Sequence, residues 1–138
     1  MIKSERLENI WEVYPEEGWN TIEQAPSDVA TQIGQERIER DGTNVTVYMT
    51  SIRSTIRPDF FEVKQGDPVT MHITNAEMAL DATHGYVMPG QNINLSIEPG
   101  ETTSVTFVAD TAGTYPYYCT EFCSALHLEM MGYFLVAP

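Results

Sequence analysis

Asn44-Val-Thr-Val-Tyr-Met-Thr50 is the stretch on which the fold turns. Val45, Val47 and Met49 alternate with Thr46, Tyr48 and Thr50, and a period of two marks a strand with one face in a core. The same period recurs downstream. Phe61 and Val63 lead into Gly66-Asp67-Pro68, a turn, and Val69, Met71 and Ile73 make the next alternating strand. Ile93, Leu95 and Ile97 repeat the pattern, and Pro99-Gly100 turns the chain into Val105, Phe107 and Ala109. Asp110-Thr-Ala-Gly113 is a further turn, followed by Tyr115 to Tyr118 and a last strand from Tyr133 to Val136. Several short strands punctuated by Gly and Pro predict an all-β sandwich.

Upstream of Asp41-Gly42 the composition changes. Glu and Gln are frequent there, and the apolar residues Leu7, Ile10, Trp11, Val29 and Ile33 are scattered. Ser27 or Asp28 in a capping position, with Val29, Ile33 and Arg37 on one stripe, predicts a short helix running to about Arg40. Pro15 and Pro26 break any longer one. The segment reads as a linker or wrapping arm without a core of its own. The start, Met1-Ile-Lys-Ser-Glu-Arg6, lacks the apolar centre of a secretory signal; a charged, helix-like beginning followed by a complete β domain reads as a piece of something longer. No membrane span is expected, because no run of about eighteen apolar residues occurs.

The 138 residues fit one domain. A net charge of −13 argues against a nucleic-acid binder. No Lys or Arg follows Lys64, while Asp67, Glu77, Asp81, Glu98, Glu101, Asp110, Glu121 and Glu129 do. Such a surface speeds encounter with a cationic partner; general solubility or adaptation to salt accounts for it equally well.

Cys119-Thr-Glu-Phe-Cys123-Ser-Ala-Leu-His127-Leu-Glu-Met130 carries the chemistry, and holds both cysteines of the chain. Thiolate and thioether are soft ligands, and one Cys with His and Met is a mononuclear blue-copper set. A second thiolate four residues on can bridge two coppers, which points to an electron-transfer centre. Three other readings compete: a Cys119–Cys123 disulfide, a zinc site using Cys119, Cys123, His127 and a further histidine, and buried structural thiols. A disulfide leaves His127 and Met130 without a reason, and zinc sites rarely take Met, so copper is favoured and zinc is second. Met130, three residues after His127, lies on the same side of a helical turn. Met131 would begin the next strand or pack in the core, where Met49, Met71 and Met78 are also expected. Of the remaining histidines, His72 sits on the polar phase of a strand and is expected at the surface or an edge. His84, in Asp81-Ala-Thr-His84-Gly85-Tyr86, is expected in a loop that the sandwich brings against Cys119. Asp81 or Thr83 is expected to hydrogen-bond around it.

The full pattern, Cys-x₃-Cys-x₃-His-x₂-Met with a histidine 35 residues before the first cysteine, resembles the binuclear CuA site shared by nitrous oxide reductase and cytochrome c oxidase subunit II. Val47-Tyr-Met-Thr-Ser51, Phe61-Glu-Val-Lys-Gln-Gly-Asp67, Asp81-Ala-Thr-His-Gly85, Ser104-Val-Thr-Phe-Val-Ala-Asp110 and Ala125-Leu-His-Leu-Glu-Met130 look more like the reductase's C-terminal domain. Glu121 departs from it, since many reductases have Trp there and the oxidase subunit has Glu. The resemblance implies a cupredoxin-like Greek-key β-sandwich over residues 43–138, preceded by an acidic, helical or irregular arm over 1–42. It implies two copper ions bridged by Cys119 and Cys123, with His84 and Met130 completing one copper's shell, and His127 and the backbone carbonyl of Glu121 the other's. It further implies a periplasmic location, a c-type cytochrome or small cupredoxin as electron donor, and a copper–sulfide cluster on a propeller domain as acceptor, where N₂O is reduced. That cluster is held by many histidines and this chain has three, so the resemblance makes it an electron-entry module. The oxidase domain, or a stand-alone copper or zinc module, are the alternatives.

Overall fold

The computed structural model describes residues 19–22, 26–52, 55–77, 84–119 and 131–138. Among them the chain forms eleven strands: β1 Trp19–Ile22, β2 Arg37–Asp41, β3 Asn44–Ile52, β4 Thr55–Arg57, β5 Phe60–Lys64, β6 Pro68–Asn75, β7 His84–Met88, β8 Ile93–Ile97, β9 Thr102–Val108, β10 Gly113–Tyr118 and β11 Met131–Ala137. They make two sheets. The first has the order β1-β9-β6-β3-β2, with β4 also on β3; the second has the order β5-β11-β10-β7-β8. The chain passes repeatedly between sheets, so β3 lies parallel to β6, and β11 parallel to β5. This is the sandwich that the alternation predicts.

The alternation also locates the core. Val45, Val47 and Met49 of β3, Val69, Met71 and Ile73 of β6, and Val105 and Phe107 of β9 are buried against Tyr86, Leu95, Tyr117 and Phe134 of the second sheet. Phe134 is its aromatic centre, with ring centroids 5.1 Å from Phe61, 5.3 Å from Tyr115 and 6.0 Å from Phe107. Met49 and Met71 are core residues as expected; Met78 lies outside the described residues.

The helix expected from Ser27 or Asp28 to about Arg40 does not form. Residues 26–36 run as turns, with Gly34 at φ +104°, a left-handed conformation that glycine takes at no steric cost. The chain then enters β2, which pairs antiparallel with β3. Ile33, meant for the buried stripe, is 45% exposed. Tertiary pairing has overridden a spacing that only resembled a helix. β1 likewise pairs with β9, so both described strands of the N-terminal stretch extend the first sheet.

That stretch also covers the sheet's outer face. Arg37 places its guanidinium 3.7 Å from the centre of the Tyr48 ring and bonds the Asp28 carboxylate at 3.0 Å. The Tyr48 ring lies 5.1 Å from that of His72, whose Nδ1 is 2.6 Å from Ser104 Oγ. Arg37, Tyr48, His72 and Ser104 are successive register partners across β2, β3, β6 and β9. His72, expected at the surface, is therefore buried. His72 lies on the face of β6 opposite that of Val69, Met71 and Ile73, and the covering on that face is not a property of β6.

Candidate metal centre

His84 and Cys119 meet at one end of the second sheet. His84 opens β7 and Cys119 directly follows the last residue of β10. These strands are antiparallel neighbours, with Tyr118 opposite Val87, so β7 begins towards the end of the sheet at which β10 stops. His84 is thus a strand residue rather than part of a loop. Alternation turns His84 and Tyr86 of β7, and Tyr117 of β10 with Cys119 just beyond it, towards the core. Both candidate ligands are buried, His84 wholly, and His84 Nδ1 faces Cys119 Sγ at 3.8 Å.

The other ring nitrogen is held by a residue that the sequence did not single out. Glu77 Oε2 lies 3.2 Å from His84 Nε2. Because a carboxylate only accepts, this contact makes Nε2 the protonated nitrogen and leaves the Nδ1 lone pair towards the sulfur. Carboxylates that orient a metal-binding imidazole in this way also raise its basicity. Glu77 is itself set by Asn75, a buried residue at the end of β6 whose Oδ1 accepts from the Glu77 backbone N–H at 3.0 Å. Asn75 Nδ2 donates to the Ile97 carbonyl at 2.8 Å, and its backbone pairs with Gly100 and Glu101. The ends of β6, β7, β8 and β10 are thereby tied into one corner.

Glu121, Cys123, His127 and Met130 lie outside the described residues, as do Asp81 and Thr83. The ligand-rich stretch nevertheless joins the last two strands as expected: Cys119 leaves β10, and Met131, opposite Tyr118, opens β11. Among the described residues, no group of three or more His, Cys, Asp and Glu side chains is arranged to hold a metal ion. The two candidate ligands that are described fit one. Metal–sulfur and metal–imidazole bonds of about 2.3 and about 2.0 Å, at a tetrahedral angle, place the donors nearly as far apart as they stand here. A thiol and an imidazole are also donors that copper accepts.

The family model for the periplasmic domain of cytochrome c oxidase subunit II matches residues 54–134. The chain belongs to that family. It is 43% identical over 118 residues to the nitrous-oxide reductase of Stutzerimonas stutzeri, an alignment that covers 86% of this chain and 18% of the reductase. It is 32% identical over 91 residues to cytochrome c oxidase subunit 2 of Thermus thermophilus, covering 66% of this chain and 64% of that subunit. The chain thus spans less than a fifth of the reductases it matches. A chain of a heme-copper terminal oxidase dimer superposes with a TM-score of 0.66 at 22% identity, over 78% of this chain and 76% of that one. Auracyanin A, a "blue" copper protein of Chloroflexus aurantiacus, does so with a TM-score of 0.53 at 22% identity, over 67% and 98%. The fold is cupredoxin-like, and the family is that of CuA-type electron-transfer domains. Among the described residues no helix is long and apolar enough to cross a membrane.

Proposed function

We propose that this chain is the electron-transfer domain of a periplasmic nitrous-oxide reductase. In this reading it holds a binuclear copper centre through His84, Cys119, the Glu121 carbonyl, Cys123, His127 and Met130. The observation that carries the reading is the buried approach of His84 Nδ1 to Cys119 Sγ at 3.8 Å, at the point where the ligand-rich stretch leaves the sheet. The longer and closer match to reductases favours that parent over the oxidase. When bound, the copper pair supplies a one-electron couple.

The chain's own residues keep that couple fast and directed. Glu77 holds the imidazole from behind, so Nδ1 stays aimed whether or not charge has arrived. Burial of His84 and Cys119 excludes water from this side of the centre. Beside the ligand stretch, Tyr118 and Tyr133 are exposed on β10 and β11, next to Phe60 on β5. They offer an apolar contact to a donor of the c-type cytochrome or small cupredoxin class. The net charge of −13 suits a basic donor, so the electron-uptake rate falls as ionic strength rises. Electrons then pass to the catalytic cluster on the parent's propeller domain.

One observation favours the oxidase: the family match itself, with Glu121 where the oxidase subunit has Glu. The gene decides between them, through a propeller or a two-helix membrane anchor encoded ahead of this domain. The metal centre is tested by copper analysis with electron-spin resonance on the reconstituted chain. Two coppers per chain and one unpaired electron shared over both nuclei are expected. That signal disappears in Cys123→Ser. A single zinc, or a mononuclear copper spectrum, overturns the proposal.

A further inference from the structure

The backbone pairing between the two ligand-bearing strands is slight. β10 pairs with β11 over six residue pairs and β7 with β8 over five, but β7 and β10 share the one pair Tyr118↔Val87. The described ladder therefore does little to fix how far His84 stands from Cys119. Two phenol rings lie where that spacing is set. Tyr86 is two residues after His84, Tyr117 is two residues before Cys119, and alternation puts all four on the core side. The Tyr86 and Tyr117 rings stack with centroids 5.7 Å apart and planes 26° from parallel.

Each ring is also tied at its far end. Tyr86 Oη donates to Met49 Sδ at 3.5 Å, reaching β3 of the opposite sheet. Tyr117 Oη donates to the Pro58 carbonyl at 2.7 Å, in the link between β4 and β5. The neighbouring Asp59 carbonyl accepts from the backbone N–H of Tyr133 at 2.9 Å, closing that link onto β11. The way to Pro58 is open only because residue 132, the register partner of Tyr117, is glycine. A Cβ on Gly132 would stand 2.5 Å from the Asp59 carbonyl oxygen and 2.6 Å from Tyr117 Cε1.

We propose that Tyr86 and Tyr117, admitted by Gly132, are positioning residues for the metal centre: a stacked pair, anchored at Met49 and Pro58, that sets the separation of His84 from Cys119. The proposal rests on reading those two residues as ligands. None of the three is among the proposed ligands. They act on the donor geometry through the strands that carry the ligands, and donor geometry and surroundings tune a copper site's potential.

Tyr117→Phe keeps the ring and removes the tie to Pro58; Tyr86→Phe does the same at Met49; Gly132→Ala displaces the Tyr117 ring. The expected result in the copper-loaded chain is unchanged copper per chain, with shifted thiolate-to-copper absorption and altered copper hyperfine splitting. Gly132→Ala should shift most, with copper affinity about tenfold lower. Val136→Ala, a buried β11 variant off the brace, is the control for lost stability and should leave the spectrum unmoved. Parent-like spectra in both Phe variants overturn the proposal, and they decide it if Gly132→Ala fails to fold. A parent chain that binds no copper refutes the ligand reading instead. The metal-free crystal structure of Tyr117→Phe then decides the brace: a His84–Cys119 separation that departs from the parent's supports it, and an unchanged one refutes it.

Discussion

Removing the Glu77 carboxylate should weaken copper binding without unfolding the sandwich. Glu77 Oε2 is 3.2 Å from Nε2 of an imidazole that is itself inaccessible, and the Glu77 side chain is only 10% exposed. Solvent therefore screens this contact little, and the anion acts on the ring at nearly full strength. Loss of such a carboxylate partner lowers metal affinity by about 10–100-fold, or about 1.4–2.7 kcal/mol. Glu77→Ala belongs at the upper end of that range, because charge and acceptor both go. Glu77→Gln keeps an acceptor oxygen on the same side-chain length, so it should lose about tenfold or less. The order of affinities is therefore parent, Gln, Ala.

Competition against a chromophoric copper(I) chelator measures this, with circular dichroism to establish that the three proteins are equally folded. Affinities within about twofold of the parent for both variants would refute the reasoning. The contact would then be a surface-corner hydrogen bond with no bearing on the ligand. A loss for Gln as large as that for Ala would show that charge alone matters, and would remove orientation as the mechanism.

Three further outcomes are expected. Burial pushes the His72 pKa below its ordinary 6.5, with Asp28 and Glu39 opposing that and Arg37 reinforcing it. The folded state thus prefers neutral His72, so its contribution is intact above 6.5 and is lost as pH falls from there towards the lowered value. The urea midpoint should drop between about pH 7.5 and about pH 5.5, and His72→Asn should flatten that part of the profile; an equal drop in the variant would refute the assignment. Phe134→Ala should cost about 3–5 kcal/mol in guanidinium unfolding, since the ring is fully buried among Phe61, Tyr115 and Phe107; a loss under about 1 kcal/mol would mean the core closes over the gap. Ile33→Ser should change stability by no more than about 0.5 kcal/mol, because Ile33 lies in an exposed turn and not on a helical stripe; a loss above about 1.5 kcal/mol would contradict that placement.

Alternation records that a strand has two faces but not what lies on the outer one. Val45, Val47 and Met49 could be assigned to the core from the sequence, whereas Tyr48 and His72 could not be recognised as buried. Their cover comes from residues 26–41, whose own i, i+4 spacing suggested a helix until the hydrogen-bonding edge of β3 took them up as β2. The strand β7 is not legible in the sequence for a related reason. His84-Gly-Tyr-Val-Met88 is too uniformly buried to show a period against polar neighbours.

The candidate site divides along a different line. Cysteine and histidine are scarce in this chain, two and three residues, so a metal-like spacing among them stands out, and His84 and Cys119 could be paired across 35 residues and then found facing each other. Asp and Glu number 20, and nothing in the order of residues sets Glu77 apart from the rest. Its role comes from Asn75, which turns the end of β6 so that one carboxylate among many arrives behind one imidazole. Gly132 and Tyr117 are unreadable in the same way, since a missing Cβ matters only once β11 lies beside β10. Rare residue types single out the candidate ligands in the sequence; the common residues proposed to aim them stand out only where strand ends converge, and the affinities of the Glu77 variants will show how much of the proposed centre depends on it.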